Sequence, residues 1–584
     1  MMSDSCVSLC VLRAEGDGVE PALVIQVEKG KWVNRNHGTA VGPPQYIFGA
    51  PEGVSRLMLT HRKVLGTEGQ ILPSPALKAV FTSQLHPDQA GGILGLLLRL
   101  KADGHEKLHI SGPTGLLQPL KYAAQNIVRW HHPSVYVTEC GASSSLLSVN
   151  PRVVYSDAIL SVMISFGLGN ERWSDFDFDG AVAGQEQDES KFRRVEDLSL
   201  FCGEDRADAS QSQPILAQCI TLKQIRKVVL VLDLPSTSAV HTLLTSPFWG
   251  FVLDHESDIL SVFHRSPWDV LNSSAYSQLL SSVTNAGVSH INMRSKSQRE
   301  FAFTGSLSTL VKLNKVDQEI FRLPPAKDSS FCGIADQLVT MDGMCVSVKV
   351  NADGTSGECQ RLDDASATVD ASDDVSLCLA KGDPESPQRG GSEAGSNQDA
   401  ANKLKALLAR NQMIEPNPAK RLKGPEETQI TFLGTGCAEP SKYRGGSGIL
   451  LEFPCGECML LDAGEGVWGQ MIRVFGRRKA LEKLSLMLCV WVSHRHADHM
   501  LGVLSLLHNR RSSRVLLIIG PHILNNWLKS QMPSLRHLYL FKHHRHMEND
   551  ANTMRRFLEP MGVVRLQSVP VFHCSDSYAI VLEH

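Results

Sequence analysis

The sequence predicts an α/β protein in which one fold is used twice in tandem. Aligned with itself at an offset of about 410 residues, the chain repeats three features in the same order, which marks an internal duplication. Positions 47–54 parallel 460–467, and each segment leads from a strand into a helix. Positions 80–89 parallel 490–499, and a Gly-Pro pair follows each copy about thirty residues later.

Hydrophobic patterning predicts the elements of the second copy. Short apolar runs bounded by Gly, Pro or polar residues are typical of buried strands, and a longer aliphatic run indicates a helix. The predicted elements are strands at 429–436, 459–461, 486–492 and 569–573 and a helix at 500–507. In the first copy, the aliphatic run at 228–235 predicts a buried strand that Pro235 ends.

Composition divides the chain into three regions. Residues 1–350 form the first predicted domain, with an acidic insert near 171–212 that is poor in aliphatic residues. Residues 351–427 are rich in Asp, Ser, Gly and Pro and predict a disordered linker with one short helix near 402–410. Residues 428–584 form the second domain.

Composition also indicates the cellular compartment in which the protein is expected to reside. No apolar run reaches the roughly 18 residues that span a bilayer, and the first twenty residues do not resemble a signal or transit peptide. The 14 Cys form no compact framework, which favours a reducing intracellular compartment. The lone CxxC at Cys455 and Cys458 predicts ordinary thiols at a hairpin turn.

Charge is distributed unevenly between the two parts of the chain. The net charge is −3, but residues 401–584 carry +9 and residues 1–400 carry −12. A polyanion is attracted to a basic region, so the second domain is the expected side for a nucleic acid. The alternative is that these basic residues lie on ordinary solvated helix faces.

The segment 493–499 carries three imidazoles and a carboxylate on a predicted strand-to-helix loop. This loop can direct His494 and His496 to one cation and Asp498 and His499 to a neighbouring one. Neutral imidazole and carboxylate suit Zn²⁺. The sequence therefore predicts a binuclear metal site.

Two further residues are expected to join this site. His573 follows a predicted strand and can complete a three-imidazole set with His494 and His496. Asp462, at the end of another strand, is expected to orient the site by hydrogen bonding to a ligating His or to the loop. A zinc ion held in this way lowers the pKa of bound water to about 7, so hydrolysis is the predicted reaction class.

The first copy lacks most of this ligand set. Gln84 and Gln89 stand at the positions of the first and last His of the motif, and Gly49 stands at the position of the preceding carboxylate. Only His86 and Asp88 remain. Because two ligands do not close a zinc shell, the first copy is predicted to have kept the scaffold and lost the metal.

The motifs together resemble a known family. The second copy reads FLGTG, LLDAGEG, SHRHADH and HCSDSYA in order, after a degenerate first copy. This combination resembles long-form tRNase Z of the metallo-β-lactamase superfamily and covers nearly the whole chain. The resemblance implies an α/β fold of two tandem metallo-β-lactamase-like αββα sandwiches, the second incomplete at its C-terminal end. It also implies a Zn²⁺-dependent endonuclease that removes 3′ trailers from precursor tRNA.

The resemblance assigns roles to individual residues. His494, His496 and His573 would bind one zinc, and Asp498 and His499 the second, with Asp498 a candidate to accept a proton from the attacking hydroxide. His494, His496, Asp498 and His499 form the expected catalytic set. Pro440, Lys442 and Arg444 match the family's PxKxR loop, so Lys442 and Arg444 are expected to bind the 3′ end of the tRNA.

The sequence departs from the family in two places. The family has a bridging Asp and a further His beyond the position of His573, but only eleven residues follow here. Neither Asp576 nor His584 suits these roles, so the chain is expected to be truncated and its second zinc position incomplete. No Gly-Pro-rich arm for the tRNA elbow occurs between positions 215 and 234.

Other expectations concern partners, location and alternatives. Precursor tRNA is the expected partner, with no membrane and no obligatory homodimer, because the duplicated half substitutes for a second subunit. The expected location is the nucleus, the mitochondrion or both. The alternatives are another hydrolase of the superfamily that cleaves thioesters or lactones, and a truncated chain that only binds.

The run 543–546 is expected to form a solvated basic turn.

Overall fold

A computed structural model describes residues 6–14, 18–28, 43–61, 77–128, 133–140, 153–166, 193–194, 213–324, 345–350, 356–361 and 427–584, apart from 224, 284, 286, 295–302, 439, 440, 442, 532 and 548–550. The predicted short helix near 402–410 lies outside these residues, and so does the acidic insert near 171–212 apart from positions 193 and 194.

The first copy is built on two mixed β-sheets. Its strands in the described residues are β1 (Cys6–Ala14), β2 (Val19–Glu28), β3 (Gln45–Phe48), β4 (Leu77–Phe81), β5 (Lys107–Pro113), β6 (Ser134–Cys140), β7 (Val153–Ser156), β8 (Leu160–Ser165), β9 (Arg193–Arg194), β10 (Ala217–Leu222), β11 (Lys227–Leu232), β12 (Ile259–His264), β13 (Ser289–Asn292), β14 (Cys345–Val350) and β15 (Ser356–Arg361). The first sheet has the order β15-β14-β1-β2-β3-β4-β5-β6-β9, and the second has the order β13-β12-β11-β10-β8-β7.

The second copy has one large sheet and a hairpin. Its strands are β16 (Gln429–Gly434), β17 (Gly448–Glu452), β18 (Cys458–Leu461), β19 (Met487–Trp491), β20 (Leu516–Gly520), β21 (Tyr539–His543), β22 (Arg565–Pro570) and β23 (Tyr578–Glu583). Strands β16 to β21 lie in chain order in the large sheet, and β22 pairs with β23. Cys455 and Cys458 lie at the turn between β17 and β18, as the CxxC spacing predicts.

Helices cover the sheets of both copies. Those of the first copy are Val54–Thr60, Pro87–Ala90, Ile93–Ala102, Leu117–Ala123, Thr237–Leu244, Pro247–Asp254, Trp268–Leu271, Ser274–Ser282 and Thr304–Asn314. Those of the second are Val467–Phe475, Arg477–Leu486, Ala497–Met500, Val503–Asn509, His522–Gln531 and Ala551–Leu558. The helix predicted at 500–507 is divided by Leu501 and Gly502 into two short helices. In the described residues, no helix is long and apolar enough to cross a membrane.

The two large sheets share one topology, which confirms the predicted duplication. In the first copy β1-β2-β3 pair antiparallel and β3-β4-β5-β6 pair parallel. In the second copy β16-β17-β18 pair antiparallel and β18-β19-β20-β21 pair parallel. Even the helix starts match, because Gly53 and Gly466 both have the left-handed backbone, with φ of 88° and 84°. Each Gly turns the chain sharply from strand to helix.

The copies pack against each other through the outer helices of their large sheets. Leu97 and Leu120 of the first copy and Leu504 and Trp527 of the second belong to one continuous buried core. Burial of these apolar side chains is the main favourable contribution to the contact between the copies. A second core lies between the two sheets of the first copy, which gives that copy four layers, αββα.

The second sheet of the later copy is small. The hairpin β22-β23 and the helix Ala551–Leu558 cover the inner face of the large sheet, where Trp491 and Ile519 are buried. The indole of Trp491 donates a hydrogen bond of 2.9 Å to Ser568 on β22. Val569 and Val581 remain 39% and 41% exposed, since only two strands form this layer in the described residues.

The predicted domain boundary at residue 350 is too early. Strand β15, Ser356–Arg361, lies inside the predicted linker of residues 351–427, yet it pairs antiparallel with β14 and belongs to the first sheet. Its sequence, SGECQR, is polar and gives no strand pattern. Residues 362–426 of the predicted linker lie outside the described residues.

Candidate metal centre

The candidate site lies where strands of the large second-copy sheet end. Asp462 directly follows β18, the segment 493–499 follows β19, and His573 follows β22 after two residues. Parallel strands place their carboxyl ends at the same edge, so side chains from distant positions meet there. Strand β19 is completely buried, which fixes the start of the motif relative to the core.

Three imidazoles from two loops converge at this edge. The Nε2 atom of His494 lies 3.0 Å from Nδ1 of His496, and Nε2 of His573 lies 3.3 Å from the same Nδ1. The ring centroids of His494 and His573 are 4.7 Å apart. These three residues each offer a ligand atom within 4.8 Å of the others.

This donor set fits a zinc ion. With zinc–nitrogen bonds of about 2.0–2.1 Å, the nitrogens of a tetrahedral site are about 3.3 Å apart. The two nitrogen separations of 3.0 and 3.3 Å at His496 match that edge length. A hydrogen-bonded imidazole pair would also give such a distance, but both separations end on Nδ1 of His496, and a ring nitrogen with one proton or one lone pair makes one such hydrogen bond.

Asp462 orients two of the imidazoles. It accepts a hydrogen bond from Nδ1 of His499 at 2.7 Å and one from the Ser493 hydroxyl at 3.1 Å. The Ser493 oxygen in turn lies 2.8 Å from Nδ1 of His494 and, since its own hydrogen is donated to Asp462, accepts a hydrogen bond from that nitrogen. In both His residues Nδ1 then carries a hydrogen; Nε2 of His494 keeps a lone pair for a cation, and Nε2 of His499 would take a cation in place of a proton.

A second pair of donors lies beside the three imidazoles. Nε2 of His499 is 3.4 Å from a carboxylate oxygen of Asp498, and the rings of His494 and His499 are 4.1 Å apart. The same Asp498 oxygen accepts a 2.6 Å hydrogen bond from the backbone N–H of Ala438. Asp498 is buried and His499 is partly buried, so both are held close to the first set.

Lowered pKa values keep imidazoles of the three-imidazole set neutral, which favours cation binding there. Burial, together with the neighbouring His499 and His496, lowers the pKa of His494 to about 4. Burial also lowers the pKa of His496. Burial alone would lower the pKa of His499, but the carboxylates of Asp462 and Asp498 outweigh it and raise that pKa to about 10. The carboxylates thus create a negative field at the second donor pair.

Backbone strain is concentrated near these residues. The described residues include four non-glycine positions with positive φ, and three of them are Ala438 at 60°, Asp462 at 58° and Asp576 at 67°. Such conformations cost about 1 kcal/mol or more and persist where surrounding contacts enforce them. Asp462 has such contacts, because its backbone N–H donates to Trp491 and its carboxylate accepts from the Ser493 N–H.

The His573 loop is attached to the motif loop by backbone contacts. The N–H of Tyr578 donates to the carbonyl of Ser493 at 3.0 Å. Within the loop, the N–H of Val571 donates to the carbonyl of Ser577, also at 3.0 Å. His573 itself is exposed, and Phe572 beside it is completely exposed. The imidazole therefore faces both the other ligands and the solvent.

The structure describes one of the two basic residues of the expected tRNA loop. Arg444 is exposed, and its backbone is held by the Ser441 hydroxyl at 3.1 Å, whereas Lys442 lies outside the described residues. Arg56 of the first copy donates a hydrogen bond of 2.8 Å from Nε to the carbonyl of Ser441. The degenerate copy thus supports this loop, a contact that no sequence motif indicates.

Neither residue near the chain end joins the three-imidazole set. His584 contacts Thr428 and Phe453, which lie at the opposite edge of the sheet from the motif. The Asp576 carboxylate pairs with His543 at 3.0 Å.

In the first copy a guanidinium stands where the metal-site carboxylate would be. A Cβ atom at Gly49 would lie 1.6 Å from Nη1 of Arg265, so the guanidinium fills the space equivalent to the Asp462 side chain. Arg265 is 2% exposed and lies within hydrogen-bonding distance of the carbonyls of Phe48 and Asp88. A fixed positive charge thus occupies this region of the degenerate copy.

The run 543–546 is not the solvated turn that the sequence predicts. His543 and His544 are only 5% and 4% exposed. His544 donates from Nε2 to the carbonyl of Val492 and accepts from Ser568, each at 2.9 Å, so it connects the hairpin to the start of the motif loop. Sequence reasoning missed this role because a polar run gives no sign of burial.

Comparison with known proteins agrees with the sequence resemblance. A scan against protein families finds no match. The chain is 31% identical to a mitochondrial ribonuclease Z of Drosophila melanogaster over 26% of its length, and 31% identical to the zinc phosphodiesterase ELAC protein 2 of Mus musculus over 29%. These alignments span 21% and 23% of the two relatives. The Rattus norvegicus protein of the latter name aligns at 24% identity over 92% of this chain and 70% of its own length.

A solved structure supports the fold of the whole chain. The crystal structure of a long form RNase Z from yeast matches with a TM-score of 0.65 and 17% identity. The match covers 99% of this chain and 83% of the yeast chain. The predicted fold of two tandem metallo-β-lactamase-like domains is therefore confirmed.

Proposed function

We propose that this chain, a relative of the long-form tRNase Z proteins, is a zinc-dependent endoribonuclease that removes 3′ trailers from precursor tRNA. The observation that carries the proposal is the convergence of His494, His496 and His573, with nitrogen separations of 3.0 and 3.3 Å, beside Asp498 and His499. The names of the relatives, ribonuclease Z and zinc phosphodiesterase, support the reaction class and the metal.

The chain's own residues supply binding and orientation. His494, His496 and His573 would hold one zinc, and Asp498 and His499 would contribute to a second position. Zinc bound there supplies Lewis acidity and a hydroxide at neutral pH. Asp462 fixes the tautomers of His494 and His499 through Ser493 and a direct hydrogen bond. This pre-orientation keeps the ligand lone pairs directed at the cation sites.

Asp498 is positioned to accept a proton during attack on the phosphodiester. Its carboxylate is already held by the N–H of Ala438 at 2.6 Å and by Nε2 of His499 at 3.4 Å. Burial would raise its pKa, but these contacts outweigh burial and lower the pKa, so the carboxylate is ionised at neutral pH. It can therefore take a proton from a nucleophile bound beside it.

The substrate is expected to approach over the 441–445 loop. Arg444 is exposed on this loop, and Lys442 belongs to the same segment of sequence. Arginine binds phosphate through two parallel hydrogen bonds, and the positive charge of residues 401–584 favours a polyanion. Together these features support RNA over a small neutral substrate.

Cleavage of a defined precursor tRNA tests the proposal. The chain is incubated with zinc and a precursor that carries a 3′ trailer, and in parallel with a panel of thioesters and lactones. We expect release of the trailer with a 5′-phosphate, loss of activity in His496→Ala, and no loss in the exposed control His537→Ala. Turnover of a thioester or lactone without trailer release would replace the nuclease assignment by a small-molecule hydrolase.

A binding role without cleavage is the second candidate. Among the described residues, neither Asp576 nor His584 is placed to complete the second cation position beside Asp498 and His499. If that position stays empty, the chain would bind precursor tRNA and release no trailer. Metal analysis with a gel-shift assay separates the two cases, since a zinc content well below two ions per chain with intact RNA binding favours this second role.

The proposed location is the mitochondrion, the nucleus or both. Two of the relatives, from Drosophila melanogaster and Arabidopsis thaliana, are named as mitochondrial, which supports the first of these. Imaging of a chain tagged at its C-terminus distinguishes the compartments. Exclusive residence outside both organelles would contradict the proposal.

A further inference from the structure

We propose that His522, His543, His546 and Asp576 form a separate binding site for a divalent transition metal such as zinc. Ring nitrogens of the three His residues lie within 4.8 Å of one another. None of these four residues belongs to the set formed by His494, His496 and His573. The proposal concerns a binding site and does not depend on the proposed nuclease activity.

Three different elements bring the imidazoles together. His522 begins the helix that follows β20, His543 ends β21, and His546 closes the short 3₁₀ turn after it. Strands β20 and β21 are parallel neighbours, and Gly520 pairs with His543. The shared sheet edge thus fixes the backbone positions of two of the ligands.

A carboxylate completes the donor set. Both oxygens of Asp576 lie 3.0 Å from Nε2 of the buried His543, and the backbone N–H of His522 also donates to Asp576. Because Nδ1 of His543 accepts from the N–H of Arg545, Nε2 is the nitrogen that would take a cation in place of its proton. Asp576 adopts a φ of 67°, which is unfavourable for a residue other than Gly. The backbone is thus held in a strained form that directs the carboxylate at the imidazoles.

The exposed ligands can adjust to a cation at little cost. The rings of His522 and His543 are stacked, with centroids 4.0 Å apart, and His522 and His546 are exposed. Stacked rings direct their lone pairs along parallel lines, so binding of one cation requires the exposed His522 ring to rotate out of the stack, whereas the buried His543 keeps its place. Three imidazoles and one carboxylate match the nitrogen and oxygen ligands that Zn²⁺ takes in tetrahedral sites.

The local charge allows a cation. Arg545 lies between two of the ligands in sequence, but its Nε donates to the hydroxyl of Tyr578 at 3.0 Å. Asp576 also accepts a hydrogen bond from that hydroxyl at 3.2 Å. The carboxylate therefore offsets the guanidinium charge, and neutral imidazoles add none. A hydrogen-bonded pair of His543 and Asp576 that served only to stabilise the turn would need neither His522 nor His546.

Binding of Co²⁺ to the full chain tests this site. Co²⁺ is used because its visible absorption reports the number and type of its ligands. The chain is first stripped of metal and carries His494→Ala and His496→Ala, which removes two of the three imidazoles of the candidate centre. We expect this variant to bind one equivalent of Co²⁺, and further substitution by His522→Ala and His546→Ala to abolish that binding.

Control variants distinguish Co²⁺ binding at this site from binding elsewhere on the chain and from loss of folding. His537 is exposed on the same part of the chain, and His537→Ala in the same background should leave the Co²⁺ equivalent unchanged. Thermal unfolding verifies that each variant is folded. Failure of the His494→Ala, His496→Ala variant to bind Co²⁺, or binding that persists without His522 and His546, would overturn the proposal. Neither result bears on trailer release by the unsubstituted chain.

Discussion

Glu52 and Glu465 occupy equivalent positions in the two copies, and each caps the helix of the other copy. Glu465 accepts a 3.1 Å hydrogen bond from the N–H of Gly53, and Glu52 accepts a 2.5 Å hydrogen bond from the N–H of Gly466. Glu52 also accepts a hydrogen bond from the Ser505 hydroxyl. The duplicated halves are thus joined by a reciprocal pair of hydrogen bonds, the arrangement that two-fold symmetry produces.

These contacts link the protonation of the interface to stability. Burial raises the pKa of Glu465 to about 7, against the lowering effect of the Gly53 N–H and Arg56. Burial likewise raises the pKa of Glu52 well above its usual range, and the nearby charge of Glu465 raises it further. The folded state therefore holds protons that the unfolded chain releases above pH of about 4.5.

Glu465→Gln is expected to flatten the pH dependence of stability. The raised pKa means that the folded state loses stability as pH rises from about 4.5 to about 7, by up to about 3 kcal/mol for this residue. Gln keeps an acceptor for Gly53 but does not ionise. Urea unfolding of the metal-free chain at pH 5 and pH 8 should show a smaller difference in the variant.

The exposed Glu482 provides the matched control for this measurement. Glu482→Gln should leave the difference between pH 5 and pH 8 unchanged, because the Glu482 side chain is exposed to solvent in the folded chain. Equal pH dependence in Glu465→Gln and the unsubstituted chain would show that the carboxylate does not remain protonated on folding.

Gly49→Ala is expected to destabilise the first copy. Gly49 has a φ of 82°, and a Cβ atom there would collide with the Arg265 guanidinium. Displacement of a buried charge adds to the backbone cost, so the loss should exceed about 2 kcal/mol. Gly104→Ala is the control, since Gly104 has a φ of 68° but no atom within 4 Å of the added Cβ. Similar unfolding midpoints for the two variants would exclude the proposed filling of the pocket by Arg265.

Asp462→Asn is expected to weaken zinc binding by about 10- to 100-fold without removing a ligand. Asn cannot accept from Ser493 and His499 as strongly as a carboxylate, so the tautomers of His494 and His499 are less well fixed. Competition with a chromophoric chelator measures the affinity. Zinc affinity equal to that of the unsubstituted chain would assign Asp462 a purely structural role in the loop.

Arg56→Ala is expected to raise the KM for precursor tRNA severalfold and to change kcat little. Arg56 holds the carbonyl of Ser441 and stacks its guanidinium 3.8 Å from the ring centroid of Phe303, so its loss loosens the loop that carries Arg444. Zinc content should not change. Arg322→Ala, at an exposed position of the same copy, should leave KM unchanged. A fall in kcat with constant KM would argue against a role in substrate binding.

The sequence predicts the fold well because the duplication presents the same strand and helix patterns twice, at 47–54 and 80–89 and again at 460–467 and 490–499. The strand at 486–492, the hairpin turn at Cys455 and the Gly turns at Gly53 and Gly466 are local patterns that burial and backbone geometry dictate. Strand β15 does not follow from the sequence, because its polar residues show no alternation, although the strand pairs with β14.

The site is predictable only in part, for a physical reason. His494, His496, Asp498 and His499 lie in one segment, so spacing alone indicates their chemistry. The support from Arg56, the filling of the first-copy pocket by Arg265 and the approach of His522 to His543 depend on contacts between distant parts of the chain. No periodicity or local composition encodes such contacts, and only the packed structure brings them together.

X-ray absorption at the zinc edge tests the central claim most directly. In a chain that carries His522→Ala and His546→Ala, which removes the other proposed imidazole cluster, one equivalent of bound zinc should have three imidazole nitrogens at about 2.0–2.1 Å, and the further change His573→Ala should reduce that number to two. His537→Ala should leave it at three. An unchanged imidazole count in His573→Ala, or a zinc shell without the expected nitrogens, would contradict convergence of the two loops on one ion.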